Sequence, residues 1–512
     1  MNKTIIVGAG IGGLVTATEL TRRGQDVTVL EAHVEPGGCA ATFFHQGYRF
    51  DAGATLAGGF APGAPLDLLG QRFQIDWQTQ ATESAMQVHL SDGTIVNRWS
   101  DPERWRTERL NIFGRIAEPF WQWQESTADQ LWQLAYRLPP WPPQSASDLF
   151  TLGETAFHWL AQQPVRDSAT LARAAFEPAQ IFLPLQNLLL RQFVDAQLLI
   201  SAQVTSQKAN ALYSSAALDL ARQGVASLPG GMGSIAKKLA TALQNYGGQI
   251  RYRQTVTQVK PLPGGLFEIV TQRGETYHAN TVIFNLPPWN IKTILGEAAP
   301  QRLRQLPEQP EDGWGAFMIY AGLPNDLVPH DLPLHQQVIQ REPLGEGNSI
   351  FLSLSPAWDA SRAPEGHRAV TISSHTQLAP WWQLHAQDPA AYEARKNAYT
   401  EGILATSERI LPGITAHAEL ILPGTPVTFH RFTRRAWGWV GGFPQTNLFR
   451  AWGPKLTRNL WMVGDSIFPG QSVPAAALGG LRVAGAVLAS QRKLRSYHLL
   501  HFKKLRRLEN LP

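Results

Sequence analysis

Residues 4–31 read TIIVGAGIGGLVTATELTRRGQDVTVLE, and this run limits the possible folds more than any other part of the chain. A β-branched apolar strand, Thr4 to Val7, enters GAGIGG, which sets Gly8, Gly10 and Gly13 in GxGxxG spacing. An amphipathic helix follows through Leu14, Ala17 and Leu20, stops at Gly24, and leads to a second strand, Val27 to Leu30, that ends on Glu31. Strand, glycine turn, helix, strand and terminal acid in this order form the βαβ unit that binds a dinucleotide. Gly8 permits the tight turn, Gly10 lets the backbone approach a pyrophosphate, and Gly13 lets helix and strand pack closely. The helix N-terminus offers unpaired N–H groups to the anion, and Glu31 is placed to accept from a ribose hydroxyl.

Segments beyond Glu31 favour FAD over NAD. PGGCAAT (Pro36 to Thr42) and GYRFDAGAT (Gly47 to Thr55) come soon after it, and LWMVGDSIFPGQSVPAAALGGLRVAGAVL (Leu460 to Leu488) lies near the other end. In the last run a short apolar strand ends in Gly464-Asp465, and a Gly/Pro/Ala-rich turn enters a small-residue helix. An extended cofactor explains why two distant segments share such geometry. The first holds the ADP end, and the second reaches the ribityl chain and flavin ring, with Asp465 accepting from a ribityl hydroxyl.

At 512 residues the chain exceeds one core and is expected to divide into two or more domains. It has no 18-residue apolar run, so no membrane-spanning helix is expected. The first strand begins at once, which leaves no room for a signal or transit peptide, and a bacterial cytosolic face is the simplest address. The single cysteine, Cys39, excludes an internal disulfide and a Cys-rich metal or iron–sulfur site. Net charge is +5, but residues 491–512 carry seven Lys/Arg and one Glu, so the basic character belongs to the tail. On a helix, Leu494, Tyr497, Leu505 and Leu508 face one side, with Arg492, Arg495, Lys503, Arg506 and Arg507 on the other. That pattern suits an anionic membrane surface or a solvated helix docked on its own protein. Positive charge confined to a terminus, without a recognition motif, argues against nucleic acid.

Between the cofactor ends, residues 84–99 read as a hairpin turning at Asp92-Gly93. From Asp101 to about Ala216 the pattern is helical and rich in aromatics: Trp105, Phe113, Phe120, Trp121, Trp123, Trp132, Trp141, Phe157 and Trp159. Half of these are expected in the core, the rest in an apolar pocket wall or a membrane-dipping face. Residues 178–203 read as an apolar helical stretch kinked or started at Pro184. Residues 227–260 return to a glycine loop, helix and strand carrying Val256, and TVIFNLPP (Thr281 to Pro288) is a buried strand. WGAFMIYAGL (Trp314 to Leu323) and FLSLSPAWD (Phe351 to Asp359) read as sheet strands. The expected class is α/β: a discontinuous Rossmann-type FAD-binding domain (1–100, 216–310 and 426–490) with an inserted α+β substrate domain (101–215 and 311–425) and a basic tail (491–512).

GAGIGG, PGGCAAT, FDAGAT, LPGGMGSIAKKL, FNLPP, GTPVTFHRFTRRAWGWVGGFPQT and VGDSIFPGQSVPAAALGG together resemble the carotenoid and retinoid flavin oxidoreductase family of phytoene desaturases, carotenoid isomerases and retinoid saturases. The resemblance runs to about residue 490. FVDAQLLISAQ, SLSPAWDASRAPEGHRAVTIS and RFTRR are most similar to the cyanobacterial-type carotenoid 3',4'-desaturases. The resemblance implies an amine-oxidase-like fold with bound FAD. It implies that Gly8, Gly10 and Gly13 hold the pyrophosphate, Glu31 the ribose, Gly37 and Gly38 the backbone near the phosphates, and Val256 the adenine. It gives Gly464, Asp465, Val473 and Pro474 to the ribityl and ring region. Many relatives carry Arg after the second glycine of PGG, where this chain has Cys39, which puts a cationic phosphate contact there in doubt.

The chain has no HExxH, Walker loop, GxSxG or paired cysteines, so a cofactor must carry the chemistry. FAD can take a hydride from an allylic carbon while its neighbour loses a proton, and a forty-carbon polyene must be met at a membrane surface, since each CH₂ gains ~0.8 kcal/mol outside water. A quinone or dioxygen would accept the electrons. No side chain stands out as a base: His375, Arg431, Arg434 and Arg435 read better as surface or ion-pair residues. Desaturation leads, with cis–trans isomerisation by reduced FAD as the alternative and a non-enzymatic prenyl or lipid carrier third. Glu31, Gly37-Gly38 and Asp465 argue against the carrier, which needs no flavin contacts.

Overall fold

The computed structural model describes residues 3–160, 165–311 and 313–509. Its first sheet runs, edge to edge, Lys455–Thr457, Leu460–Met462, Thr281–Phe284, Lys3–Val7, Asp26–Leu30 and Gln249–Arg251. Lys3–Val7 is central and pairs in parallel with both neighbours, Val7 opposite Leu30 on one side and Phe284 on the other. Ile5, Ile6, Val29 and Ile283 are fully buried, as expected of strands covered on both faces. The helix Ile11–Arg22 packs between Gly233–Asn245 and the final helix, Val473–Glu509. Segments from the start, middle and end of the chain thus form one dinucleotide-type layer.

The second sheet has seven strands in the order Leu420–Gly424, Trp314–Pro324, His367–Gln377, Ser349–Leu354, His335–Ile339, Ser84–His89 and Ile95–Trp99. The 84–99 hairpin therefore belongs to this sheet and not to the cofactor portion assigned to 1–100. It joins through a parallel pairing of Gln336–Val338 with Gln87–His89. Alternation along a hairpin shows which face is apolar but not which sheet its edge will extend, and that choice is made by a strand some 250 positions away. Similarly, Pro426–Thr433 packs on Trp314–Pro324, so the 426–490 portion begins on the substrate side.

Residues 101–217 are helical as expected, but their aromatics pack against one another. Trp105 stands edge-on to Trp121 at 5.1 Å between ring centroids and stacks on Phe193 at 5.8 Å. Phe113, Phe120, Trp132 and Trp159 are also buried, and none of the nine aromatics named for this segment lines the main cavity. The pocket-wall expectation is thus corrected. Apolar surface is exposed instead at Phe150, Phe157, Phe176, Leu185 and Leu188. The 178–203 stretch is not one helix: a short 3-10 turn at Ala179–Phe182 precedes the helix Leu188–Ala202, whose start is set by Asn187, its side chain accepting from the Leu190 N–H at 3.0 Å.

One stretch, Val473–Arg492, is long and apolar enough on composition to cross a bilayer, against the expectation of none. It packs on Ile11–Arg22 with 61% of its apolar window buried, as a core helix does. The backbone continues helically to Glu509. The faces expected of Leu494, Arg495, Tyr497, Lys503, Leu505, Arg506, Arg507 and Leu508 lie outside the described side chains.

Candidate cofactor and substrate site

Between the two sheets lies a cavity of about 2430 Å³, lined at one end by the glycine loop and at the other by the 84–99 hairpin and the helices 188–202 and 211–217. It is more than twice the ~300–1,000 Å³ of an ordinary small-molecule pocket, room enough for two ligands.

At the dinucleotide end Gly8 takes φ +99°, a left-handed value that permits the turn out of the first strand. A Cβ at Gly10 would collide with the Asn285 side-chain amide, so the backbone must be bare there. The helix after this loop has no acid in its first turn and no side-chain cap, leaving its N–H groups for an anion. Glu31 is buried and lines the cavity, its carboxylate accepting from the Ala9 N–H at 2.6 Å and the His33 N–H at 2.8 Å. Two bonds leave lone pairs for a ribose hydroxyl.

Gly37 and Gly38 dock on this loop: the Gly37 N–H donates to the Ala9 carbonyl at 2.9 Å, and Gly10 and Gly37 form an isolated bridge. Val256, Gly464, Asp465, Val473 and Pro474 line the same cavity. Gly13 does not. A Cβ there would stand 2.5 Å from the Gly8 carbonyl oxygen, so its role is helix-to-loop packing and not ligand contact. The remaining ten expected cofactor residues all line this cavity. This chamber, with bare glycine backbone, an uncapped helix end and an available carboxylate, fits a dinucleotide.

Sequence reasoning missed Asn285. It follows the strand Thr281–Phe284, its N–H donating to the Val7 carbonyl at 2.9 Å, and its side chain reaches Gly10, Gly12 and Gly464, the two ends of the cradle. The FNLPP run marked its position, but no spacing rule gave it a role.

The flavin end holds a buried ion pair. Arg435, with 14% of its side chain exposed, donates from Nη2 to Asp465 Oδ2 at 2.7 Å and from Nε to the Trp439 carbonyl at 2.8 Å. Its guanidinium lies beside the Cys39 thiol. Burial opposes its charge, but the Asp465 carboxylate outweighs this and raises its pKa, while burial pushes the Cys39 thiol up. The cation absent at position 39 is therefore present in space, supplied from about 400 residues away. The Arg435 ion pair agrees with the sequence reading. His375 does not: it lines the cavity, and burial holds its pKa near 4. Arg431 and Arg434 line the cavity as well.

Met86, Ile200, Leu218, Val225, Met318 and Phe351 are among the apolar residues that line the rest of the cavity. Gln197, Ser201, Gln203, Ser373, His375 and Arg98 are among its polar lining residues. Gln203 is fixed at the end of its helix in a left-handed conformation, its carbonyl accepting from the Trp314 indole at 3.0 Å.

The model of the flavin containing amine oxidoreductase family matches residues 11–488. The chain is 29% identical over 504 residues to a chloroplastic prolycopene isomerase of an Oncidium hybrid cultivar, spanning 95% of this chain and 83% of that protein. It is 22% identical to the neurosporene-forming phytoene desaturase of Cereibacter sphaeroides, spanning 92% of each. Among solved structures, a wild-type putrescine oxidase superposes with a TM-score of 0.58 at 17% identity, over 95% of this chain and 99% of that one, a likeness of fold.

Proposed function

The chain belongs to the flavin-containing amine oxidoreductase family and is an FAD-dependent oxidoreductase acting on carbon–carbon bonds, and from that premise we propose that it desaturates a carotenoid, inserting the new double bond at the 3',4' position. The observation that carries this reading is the continuity of one cavity from the glycine cradle into a long apolar chamber. Relatives named as carotenoid desaturases and isomerases, and the motif resemblance to 3',4'-desaturases, support it.

Bound FAD supplies a two-electron acceptor for hydride. The protein positions and shields. The first-turn N–H groups of Ile11–Arg22 and the bare Gly10 would hold the pyrophosphate, and Glu31 would offer its carboxylate to the ribose. Asp465, anchored by Arg435, would accept from a ribityl hydroxyl. Met86, Ile200, Leu218 and Phe351 exclude water from the polyene, and burial of each CH₂ contributes ~0.8 kcal/mol. His375 is neutral at pH 7 and presents an uncharged face to that chain.

The polyene would be collected at a membrane on the cytoplasmic side of a bacterial cell, and the electrons would leave to a quinone or dioxygen. Phe150 (75% exposed), Phe176 (80%) and Leu185 (77%) support a membrane face. In a vesicle sedimentation assay, deleting 491–512 should reduce binding to anionic lipid, by about 1 kcal/mol per Lys or Arg near the surface at low salt. Equal sedimentation would move the contact to Phe150, Phe176 and Leu185.

A second reading, cis–trans isomerisation, is favoured by the identity to prolycopene isomerases. Product analysis separates the two. FAD-loaded protein given a carotenoid should yield pigment two hydrogens lighter and absorbing at longer wavelength. A product of unchanged mass would establish isomerisation and overturn the leading proposal.

A further inference from the structure

A short chain of hydrogen bonds links the second sheet to the cavity wall. His335 lies opposite Ser353 in the antiparallel pairing of His335–Ile339 with Ser349–Leu354, and its Nδ1 meets the Ser353 hydroxyl at 2.9 Å. That hydroxyl donates to Thr55 Oγ1 at 2.8 Å, joining residues 298 positions apart. Ser353 stands two residues from Phe351, so strand alternation sets both on one face of the sheet, and the Phe351 ring stacks on the His335 imidazole at 5.9 Å between centroids. Thr55 and Phe351 line the cavity, whereas His335 and Ser353 are buried and are not among its lining residues.

The direction of the chain follows from counting hydrogens. Ser353 has one hydroxyl hydrogen and gives it to Thr55, so towards the imidazole its oxygen accepts. Burial holds the His335 pKa at about 4, so the ring is neutral at pH 7 and its one hydrogen sits on Nδ1. Thr55 accepts from Ser353, and its own hydroxyl hydrogen finds no acceptor among the described residues. Donors in series polarise one another, which makes the last a stronger donor than an isolated hydroxyl. The segment that carries it belongs to the flavin end: the Ala54 N–H donates to the Cys39 carbonyl at 2.9 Å, and Cys39 stands beside the Arg435–Asp465 pair. A flavin ring offers acceptors at its carbonyl oxygens and unprotonated nitrogens, and hydride uptake adds negative charge to them.

We propose that Thr55 donates its hydroxyl hydrogen to an acceptor atom of the bound flavin ring, and that His335, acting through Ser353, is the positioning residue that orients this donor, so that reduced FAD is held more tightly than oxidised FAD. This rests on bound FAD and not on which carotenoid reaction follows. A hydrogen bond to a charged acceptor is roughly twice as strong as one to a neutral acceptor. The expected preference for the reduced form is about tenfold, which for a two-electron couple is about 30 mV in midpoint potential.

The test measures the midpoint potential of FAD in the full-length protein by equilibration with a redox dye, without carotenoid. Thr55→Val, which removes the hydroxyl and keeps the shape, should lower the potential by about 30 mV, and Thr55→Ser should stay within about threefold of wild type, ~15 mV. His335→Leu should move it in the same direction by about half as much, while His335→Asn, whose amide N–H can stand near the Nδ1 position, should restore it. Ser353→Ala breaks the same chain should His335→Leu fail to fold. FAD content and melting temperature establish that each compared variant is folded. A Thr55→Val potential equal to wild type, or a Thr55→Ser shift as large as that of Thr55→Val, would make Thr55 a packing residue and overturn the proposal. A shift on Thr55→Val with none on His335→Leu or Ser353→Ala would overturn the role of His335. Folded protein that binds no FAD would overturn the cofactor reading and this proposal with it, a result read from flavin content before any potential is measured.

Discussion

The two ends of the cavity are built from different materials. The dinucleotide end is backbone: a left-handed Gly8, a bare Gly10, an uncapped helix and a docked Gly37-Gly38 turn, with Glu31 as the main side chain. The substrate end is side chain, contributed by a hairpin, two helices and a sheet from separate parts of the chain. A cofactor of constant shape can be met by fixed backbone geometry, which tolerates almost no added atom. An apolar chain is met by a surface of roughly the right volume, where exchange of one side chain costs only the area it covered.

The hardest blow to the backbone end is Gly10→Val. Its Cβ would enter the Asn285 amide and the path of the pyrophosphate, so FAD affinity should fall at least about a thousandfold, ~4 kcal/mol, read as flavin released from denatured protein. A variant that retained stoichiometric FAD would break the comparison. Next is Asp465→Ala, which strands the buried Arg435 guanidinium. A loss of about 3 kcal/mol in unfolding free energy is expected, partly recovered by adding Arg435→Met, because removing both partners leaves neither unpaired.

Acid should loosen the helix of the backbone end. Burial alone would raise the Glu19 pKa, but Arg72, Arg22 and Arg23 hold it near 2, against 4.5 when unperturbed. The folded value is the depressed one, so this stabilisation is complete above about pH 4.5 and lost as pH falls towards 2. Glu19→Gln should lower stability at pH 7 by about 2–3 kcal/mol, discounted because the arginines stay partly in water, and should flatten the acid unfolding curve in that window. An unchanged curve would remove the ion-pair cluster from the account. Glu31→Ala should weaken FAD binding by about 1–3 kcal/mol, measured by flavin fluorescence titration of the apoprotein.

At the substrate end Ile200→Ala should cost about 1–2 kcal/mol in polyene affinity, seen in KM, with FAD content unchanged. Loss of flavin from this variant would show that the two ends are not independent.

These differences also decide what could be read from the chain. The βαβ cradle is written within 28 consecutive residues, because turn, close approach, helix start and terminal acid are all local demands on φ/ψ and spacing. The flavin-end segment shares that legibility at Gly464 and Asp465. At Gly13 the close packing expected from its spacing is seen against the Gly8 carbonyl, whereas the pyrophosphate contact implied by the resemblance is not, since Gly13 does not line the cavity. Trp105 and Trp121 were visible as aromatics, yet periodicity cannot distinguish a residue buried in a helical core from one lining a pocket.

The sequence by itself determined the βαβ unit at the dinucleotide end and the hairpin as an element. Only the tertiary structure decided that the hairpin extends the substrate sheet and that Arg435 stands beside Cys39 from about 400 residues away. The physical reason is range: backbone conformation is set by neighbours in the chain, whereas the partner of a buried charge and the neighbour of a sheet edge are set by whichever distant segments the fold brings together.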